Sequence, residues 1–454
     1  MLLSLPLELI FVIFDHLETY QQRLNLARLC RRFYKLLSPR LLSSIELPRC
    51  SPEYLIPLTL TFNKYRYLAK NVRCFTVGKP EPTRWVGCLV RKTLEDMIGE
   101  ISHSESERAH WISQLEGNQN GEYWMALLLH LLPNLEELEC FWVGNKMHCV
   151  DLMLKAIVAG KMPFVDGRPG FTGLRQVHIK LIQSGGRGNT SRKLRPFYQL
   201  PSMKVLKAQM VIGGFVPADQ LPEKSSPIEH LEIVQSCMPN GCHDLIAPCK
   251  NLKSFKYSHH DSSRLDVEAF SQSLGARKDT LEELSVDRFW GVSSGTIDSK
   301  SFGSLSDYAA LKRLRLSMDI LVGDRLRTPL VDILPPCLES LYIADMGRDE
   351  GKHEVLVAGL CSLVKASHVQ ASYVIFPLLK QLGIEGTFQN PNLSSQERSE
   401  CLKIYPEPSS LLVSWIYEIT KELSTICFEN GVSFTVHDAQ IERQYTEVLP
   451  DGTP

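Results

Sequence analysis

One short pattern of apolar positions recurs along most of the chain. Two apolar residues three apart are followed by a third two positions later, as in Leu174, Val177 and Ile179. The last two of these lie on one face of a short strand, because successive strand side chains point to opposite faces. Nine copies occur in order, and they begin at Leu135, Leu174, Met203, Ile228, Leu252, Leu281, Leu311, Leu338 and Leu379.

The spacing of these copies predicts a repeat architecture. From Met203 to Leu338 they start 24 to 30 residues apart, which is close to the leucine-rich-repeat period of roughly 20–29 residues. We therefore predict an α/β fold, a leucine-rich-repeat-like solenoid with parallel strands on its concave face and helices outside. Apolar runs at 265–274, 355–364 and 411–428 predict three of those helices. A compact α/β domain with parallel strands remains the alternative.

The first fifty residues carry a helical pattern instead. Apolar residues recur there in two runs at helical spacing, the first at Ile10, Ile13, Phe14 and Leu17 and the second at Leu26, Leu29, Cys30 and Phe33. Two short apolar helices make a very small core, so a partner or a following domain must cover the remaining apolar surface. An ordinary helical hairpin packed on the main body is the alternative interpretation.

This segment resembles the F-box, and most closely the version common in fungal F-box proteins. The resemblance covers residues 3–47 and includes the Leu5-Pro6 start, the two helical faces and the aromatic pair Phe33-Tyr34, where many members carry a tryptophan. F-box domains bind the Skp-type adaptor of cullin–RING ubiquitin ligases, so the resemblance implies a substrate receptor without chemistry of its own. We assign the adaptor-binding face to Leu5, Pro6, Ile10, Ile13, Phe14, Leu17, Leu29 and Phe33.

The repeats resemble the irregular leucine-rich repeats of many F-box proteins. In such an array the strand residues between the buried ones face the concave side, where we expect a target protein to bind. Two guanidinium groups on one face, those of Arg313 and Arg315, suit a carboxylate or a phosphate. The candidate substrate-binding residues are His178, Lys180, Lys207, Lys256, Asp287, Arg313, Arg315 and Tyr342.

Four segments follow from these patterns. Residues 1–50 form the F-box-like helical domain, and residues 51–134 form a helical linker with a possible first repeat at Val72, Phe75 and Val77. Residues 135–437 form the solenoid, which ends in an alternating strand around Phe434. Residues 438–454 are predicted to be a disordered tail.

Composition narrows the functional classes further. The net charge is −1, so nothing draws the whole chain to nucleic acid or to an anionic membrane. The chain has no apolar run as long as a membrane span, and we expect no secretory signal. Thirteen scattered cysteines fit a reducing compartment, the cytosol or the nucleus.

The sequence contains no convincing catalytic or metal-binding motif. Cys237, Cys242, His243 and Cys249 lie close in sequence, but the adjacent pair would point apart, so we predict no metal and no cofactor. The basic loop 184–193 lacks the order of a phosphate loop, although its cations Arg187, Arg192 and Lys193 suit a phosphorylated segment. We predict a non-enzymatic receptor that binds a Skp-type adaptor, through it a cullin, and an unknown target. The alternative is a leucine-rich-repeat scaffold without a ligase role.

Overall fold

The computed structural model describes most of the chain. The described residues are 5–17, 19–80, 91–102, 104–117, 121–143, 147–160, 170–182, 190–213, 220–238, 241–260, 265–288, 302–322, 328–346, 350–368, 375–386 and 414–438. The chain divides into two compact units, Met1–Ala208 and Gln209–Pro454. In the described residues, no helix has both the length and the apolarity that crossing a membrane requires.

Both units combine short strands with helices. The strands of the described residues are β1 (Ser44–Leu47), β2 (Cys74–Val77), β3 (Glu137–Val143), β4 (Gln176–Ile182), β5 (Val205–Gln209), β6 (His230–Ser236), β7 (Ser254–His259), β8 (Glu283–Arg288), β9 (Arg313–Ser317), β10 (Ser340–Met346), β11 (Gln381–Gly386) and β12 (Ser433–Asp438). The helices of the first unit are α1 (Leu7–Asp15), α2 (Tyr20–Arg28), α3 (Arg31–Leu41), α4 (Pro52–Lys64), α5 (Arg66–Ala69), α6 (Arg91–Ile101), α7 (Glu105–Gly117), α8 (Glu122–His130), α9 (His148–Val158) and α10 (Arg195–Tyr198). Those of the second unit are α11 (His243–Ile246), α12 (Val267–Gly275), α13 (Met318–Val322), α14 (Leu330–Ile333), α15 (Glu350–His368) and α16 (Ser414–Glu429).

The first unit holds a parallel sheet whose strands follow sequence order. Phe75 of β2 is aligned with Ile45 of β1 on one side and with Leu138 of β3 on the other. Alternate residues of β3 are buried, and the last of them, Trp142, packs edge-on against Phe197 of α10 with ring centroids 6.4 Å apart. The helix therefore covers the apolar face of the sheet, while the β3 residues that alternate with the buried ones face solvent.

The second unit repeats this arrangement. The apolar positions of its strands stand in register across the sheet, namely Leu231, Phe255, Leu284, Leu314, Leu341, Leu382 and Phe434. Helix α12 packs on the same face, since the ring centroids of its Phe270 and of Tyr257 in β7 are 4.6 Å apart. This parallel sheet covered by helices on one face confirms the predicted α/β fold and is typical of a leucine-rich-repeat solenoid.

The predicted strands are confirmed, but the sheet begins earlier than we expected. The nine repeats become β3 to β11, and the flanking patterns become β2 and β12. Strand β1 lies within the segment that we had assigned to the helical domain. The apolar spacing of the repeats is present here too, at Leu42, Ile45 and Leu47, but we had assigned these residues to the helical domain. The helices predicted at 265–274, 355–364 and 411–428 are present as α12, α15 and, over its described residues, α16.

The N-terminal segment contains three helices rather than the predicted two. Thr19 lies between the two predicted apolar runs, and it caps the start of α2 with a reciprocal capping box to Gln22. The second apolar run is broken at Cys30, whose Sγ accepts a hydrogen bond of 3.4 Å from the backbone N–H of Phe33 and begins α3. Helix α3 continues past Pro39 to Leu41.

Several predicted segments lie wholly or partly outside the described residues. These are parts of the helical linker 51–134, most of the basic loop 184–193, the start of the predicted helix 411–428 and the tail beyond Asp438. The described end of the basic loop is a short 3-10 turn, Ser191–Lys193. Lys193 is mostly buried there, and its Nζ lies 3.4 Å from Oδ2 of Asp151. That internal ion pair argues against our suggestion that Lys193 binds a phosphorylated segment.

A buried carboxyl group joins two helices of the first unit. Glu122 is the first residue of α8, and its Oε1 accepts hydrogen bonds from the backbone N–H groups of Cys149 and Val150. Both donors belong to the first turn of α9, where helix N–H groups have no partner within the helix. Burial raises the pKa of Glu122 to about 7, although these hydrogen bonds and the nearby Lys193 oppose the shift.

We expect Glu122→Gln to change how stability depends on pH. Between pH 4.5, the ordinary pKa, and about pH 7, Glu122 is protonated in the folded chain and ionised in the unfolded one. Its protonation therefore stabilises the folded chain in full below pH 4.5, and this stabilisation is lost as the pH rises through 7. Glutamine keeps an acceptor oxygen and cannot ionise. From pH 5 to 8 the variant should therefore gain about 1–3 kcal/mol in free energy of unfolding relative to wild type.

Urea unfolding at four pH values measures this difference. Glu53→Gln is the matched control, because Glu53 also lies in the first turn of a helix, α4, and is exposed. The control should follow the wild-type pH dependence. If the free energy of unfolding of wild type and of Glu122→Gln changed with pH in parallel, a raised pKa of Glu122 would be contradicted.

Candidate functional site

Helix α1 carries apolar residues on two opposite sides. On the inner side Ile10 and Phe14 are buried in a small core that also contains Ala27, Phe33, Leu37 and Leu41. On the outer side Leu9, Val12 and Ile13 are exposed and follow at i, i+3 and i+4, which places them on one stripe of the helix. We call these three residues the outer stripe of α1.

The structure divides the eight residues that we assigned to the adaptor-binding face. Pro6, Ile13 and Leu29 are exposed, and Leu5 and Leu17 are partly buried. Ile10, Phe14 and Phe33 are buried in the core of the helices, so they maintain the surface rather than form it. This is a correction to the predicted face, and its physical reason is that a helix apolar all round has to bury one side first.

Sequence reasoning missed most of the exposed apolar residues. Those it did not select are Leu7, Leu9, Val12, Tyr20 and Tyr34. For Leu7, Leu9 and Val12 hydrophobic periodicity carries no signal, because α1 has apolar residues at nearly every position from Leu7 to Phe14. Only the packing of α1 on α2 and α3 distinguishes the inner side from the outer one.

Two arginines fix the three helices relative to one another. Arg40 of α3 donates to both carboxylate oxygens of Asp15 at 2.9 and 2.6 Å, and its guanidinium lies 4.0 Å from the centroid of the Phe11 ring. Arg23 of α2 donates to the carbonyl oxygen of Leu17 at 2.9 Å. Exposed contacts of this kind add little stability, so the core that the three helices share is the main constraint on the orientation of α1.

The second candidate surface is the open face of the parallel sheets. All eight predicted substrate-binding residues lie there, at partly or fully exposed positions that alternate with buried ones. In the first unit Glu139 lies between His178 and Lys180, with its Oε1 3.4 Å from Nδ1 of the histidine and 2.7 Å from Nζ of the lysine. Lys207 of β5 likewise lies at a partly exposed position between two buried residues.

In the second unit, four residues from four neighbouring strands meet on the open face. Arg315 donates from Nε to Asp287 at 2.9 Å and from Nη2 to Glu385 at 2.7 Å. Its guanidinium lies 4.5 Å from the centroid of the Tyr342 ring. We call Asp287, Arg315, Tyr342 and Glu385 the Arg315 cluster.

This cluster corrects our expectation for Arg315. We expected Arg313 and Arg315 to bind an external carboxylate or phosphate together, but two carboxylates of the chain already occupy the Arg315 guanidinium. Burial, together with repulsion from Glu385, raises the pKa of Asp287 even though Arg315 opposes the shift. Burial likewise raises the pKa of Tyr342 to about 12, so its phenol stays neutral.

Arg313 belongs to a different group of charges. Glu283 of β8 lies between two cations, with Oε1 3.0 Å from Nζ of Lys256 and Oε2 3.6 Å from Nη2 of Arg313. Ser254 also donates to Glu283 at 2.9 Å. Although burial opposes it, these hydrogen bonds and cations hold the pKa of Glu283 below its ordinary range. We call Lys256, Glu283 and Arg313 the Glu283 cluster.

Of the four residues that we considered for metal binding, Cys242 and Cys249 lie in the interior, whereas Cys237 is partly buried and His243 is exposed. Cys242 and Cys249 are buried free thiols, and burial raises the pKa of both. His259 is buried, and its Nδ1 lies 2.7 Å from the Tyr257 hydroxyl. In the described part of the chain, no group of three or more potential ligands could hold a metal ion.

Comparison with known protein families adds two matches. Residues 2–44 match the F-box domain, and residues 190–383 match a leucine-rich repeat domain. The chain therefore carries an F-box domain at its N-terminus and a leucine-rich repeat domain C-terminal to it. This architecture is typical of adaptor or receptor proteins rather than of enzymes. A search of curated proteins gives no match to the chain.

The Arg315 cluster depends on a glycine in the next strand. Gly383 of β11 stands between Tyr342 and Thr435 across the sheet. A Cβ at Gly383 would overlap the Tyr342 ring and would come within 3.1 Å of the Thr435 hydroxyl. The missing side chain therefore lets the Tyr342 ring lie against the sheet beneath Arg315.

We expect Gly383→Ala to displace the Tyr342 ring and to lower the free energy of unfolding by about 1–3 kcal/mol. Tyr342→Ala removes the obstruction, so Gly383→Ala should cost less in that background. A double-mutant cycle from urea unfolding measures the coupling. Gly275→Ala is the matched control, because a Cβ at Gly275 meets no atom within 4 Å. Additive effects of the two substitutions would contradict the proposed contact.

Proposed function

We propose that the protein is the substrate-recognition subunit of an SCF-type cullin–RING ubiquitin ligase. The observation that carries this proposal is the outer stripe of α1, an apolar surface in the segment that matches the F-box domain. Apolar side chains grouped on one face of a small helical domain favour a protein partner that removes them from water. A Skp-type adaptor is the partner that F-box domains bind, and the adaptor connects them to a cullin.

The repeat units would then bind the target protein. Their open faces present charged and aromatic side chains on rigid strands, which suits recognition of another protein. Catalysis would reside in other subunits of the ligase, so this chain needs no active site. The thirteen scattered cysteines support a cytosolic or nuclear location, where thiols stay reduced.

One observation favours the alternative of a repeat scaffold without a ligase role. Strand β1 follows α3 almost directly and pairs with β2, so the N-terminal helices continue into the first parallel sheet. Terminal capping elements of repeat proteins have this position. A cap, however, requires a polar outer face, and the outer stripe of α1 is apolar.

Co-purification with a Skp-type adaptor tests the proposal. We expect Val12→Asp and Ile13→Asp each to weaken adaptor binding at least about tenfold, because a buried, unpaired carboxylate at an interface is costly. Val355→Asp is the matched control, since Val355 also lies on a helix and is 48% exposed, against 50% for Val12.

The control variant should retain the adaptor at the wild-type level, and circular dichroism should show all three variants folded. Adaptor retained by both α1 variants would exclude the outer stripe as the docking surface. If wild type itself fails to bind any Skp-type adaptor, the scaffold alternative holds.

A further inference from the structure

The charged residues of the N-terminal segment are separated by sign along the chain. Residues 1–45 contain three carboxylates and six lysine or arginine side chains, and every carboxylate precedes Thr19 while every cation follows it. The carboxylates are those of Glu8, Asp15 and Glu18. The cations are Arg23, Arg28, Arg31, Arg32, Lys35 and Arg40. Helices α2 and α3 are therefore basic, whereas α1 is not.

Helix α3 presents two of these cations to solvent. Arg31 and Lys35 are exposed, and no ion pair to either occurs within the described residues. Tyr34 is 51% exposed and lies with them on one stripe of the helix, because the three residues follow at i, i+3 and i+4. The buried residues Phe33 and Leu37 lie on the opposite side. We call Arg31, Tyr34 and Lys35 the outer stripe of α3.

The stability of α3 does not explain these cations. Arg31 is the first residue of the helix, and the partial positive charge of a helix N-terminus makes a cation there unfavourable. Arg31 and Lys35 are also four residues apart on the helix, so their like charges repel each other. The first turn of α3 contains no carboxylate that would offset either effect. Residues that local stability disfavours are expected at functional sites, and here binding is the function that exposed cations can serve.

The size of a stable interface links the two outer stripes. A specific interface takes about 20–30 residues from each partner, whereas the outer stripe of α1 consists of Leu9, Val12 and Ile13 alone. A partner bound to it must therefore extend over neighbouring surface of the domain at residues 2–44. Helices α1 and α3 pack on one shared core, so the outer stripe of α3 belongs to the surface available for this extension.

We propose that the outer stripe of α3 contacts an acidic surface of the Skp-type adaptor, and that attraction between the two surfaces accelerates their association. Complementary charge raises association rates more than affinity, and it acts over about 10 Å at 0.1 M salt. Tyr34 provides contact area in the docked complex, because tyrosine is enriched among the residues that dominate binding energy. The inference rests on the proposed function, since it specifies the chemistry of the adaptor surface.

Association kinetics of the full chain with a purified Skp-type adaptor, followed by stopped flow, test the inference. We expect the wild-type association rate constant to fall at least about tenfold between about 0.05 and 0.5 M salt, because salt screens the attraction. The double variant Arg31→Glu/Lys35→Glu should associate about tenfold more slowly than wild type at the lower salt concentration and within about twofold of it at the higher one.

The matched control for charge is Lys64→Glu/Lys70→Glu. It changes the net charge by the same amount at exposed lysines of the same unit that lie outside the F-box domain. Its association rate constant should stay within about twofold of wild type at both salt concentrations.

Tyr34→Ala should leave the association rate constant nearly unchanged and raise the dissociation rate constant about tenfold, since loss of an interface anchor acts mainly on dissociation. Its matched control is Tyr67→Ala, at a tyrosine of α5 that is 66% exposed and should not touch the adaptor. This control should dissociate at the wild-type rate.

Urea unfolding separates an effect on binding from an effect on folding. Arg31→Glu places a carboxylate in the first turn of α3, where the helix N-terminus favours a negative charge. We therefore expect the Arg31→Glu variant to unfold at a higher urea concentration than wild type while it binds the adaptor more slowly. A lower unfolding midpoint would contradict the statement that Arg31 is unfavourable for α3.

The outcomes distinguish this inference from the proposed function. An association rate that neither salt nor the double variant changes overturns the inference and leaves the proposed function standing. A chain that binds no Skp-type adaptor overturns both. If the double variant loses binding to anionic lipid vesicles or to an RNA oligonucleotide but keeps the wild-type adaptor kinetics, the outer stripe of α3 binds a polyanion and the inference is again wrong.

Discussion

Burial of alternate strand side chains beneath the helices is the constraint on which both units depend. Residues such as Leu284, Leu314 and Leu341 stand in register, so a shift of one strand by a single residue would turn its apolar side chains toward water. The same alternation leaves every intervening side chain on the open face. Charged residues there find partners on neighbouring strands, and the register decides which ones meet. Core packing thus determines the geometry of the candidate target-binding surface.

The N-terminal helices obey the same physics with a different result. Their small core buries Ile10, Phe14 and Phe33, but α1 has more apolar residues than this core accommodates. The outer stripe therefore remains on the surface, while the core beneath it holds the helix in place. An exposed apolar stripe is unfavourable in water for an isolated chain, and a partner that covers it removes this unfavourable exposure. The surface therefore indicates association more directly than any charged residue does.

Much of the fold could be predicted from the sequence because a repeated period carries more information than any single motif. The strands followed from three apolar positions per repeat. Strand β1 has them too, at Leu42, Ile45 and Leu47, but it was missed because these residues lie in the segment assigned to the helical domain. The boundaries within the N-terminal segment depend on the caps at Thr19 and Cys30, and the second of these is a residue type seldom chosen as a cap. The partners of Arg315 lie 28 and 70 residues away, so only the strand register reveals that its charge is already compensated.

The pairing of each strand with its sequence neighbours also has a kinetic consequence. In the second unit the strands from β6 to β12 contact partners that are mostly a few tens of residues away, so assembly requires few long loops to close. Strand β12 is held by β11 on one side alone within the described residues. Local opening should therefore begin at this C-terminal end and proceed inward, with amide hydrogen exchange fastest in β12 and slowest in the central strands.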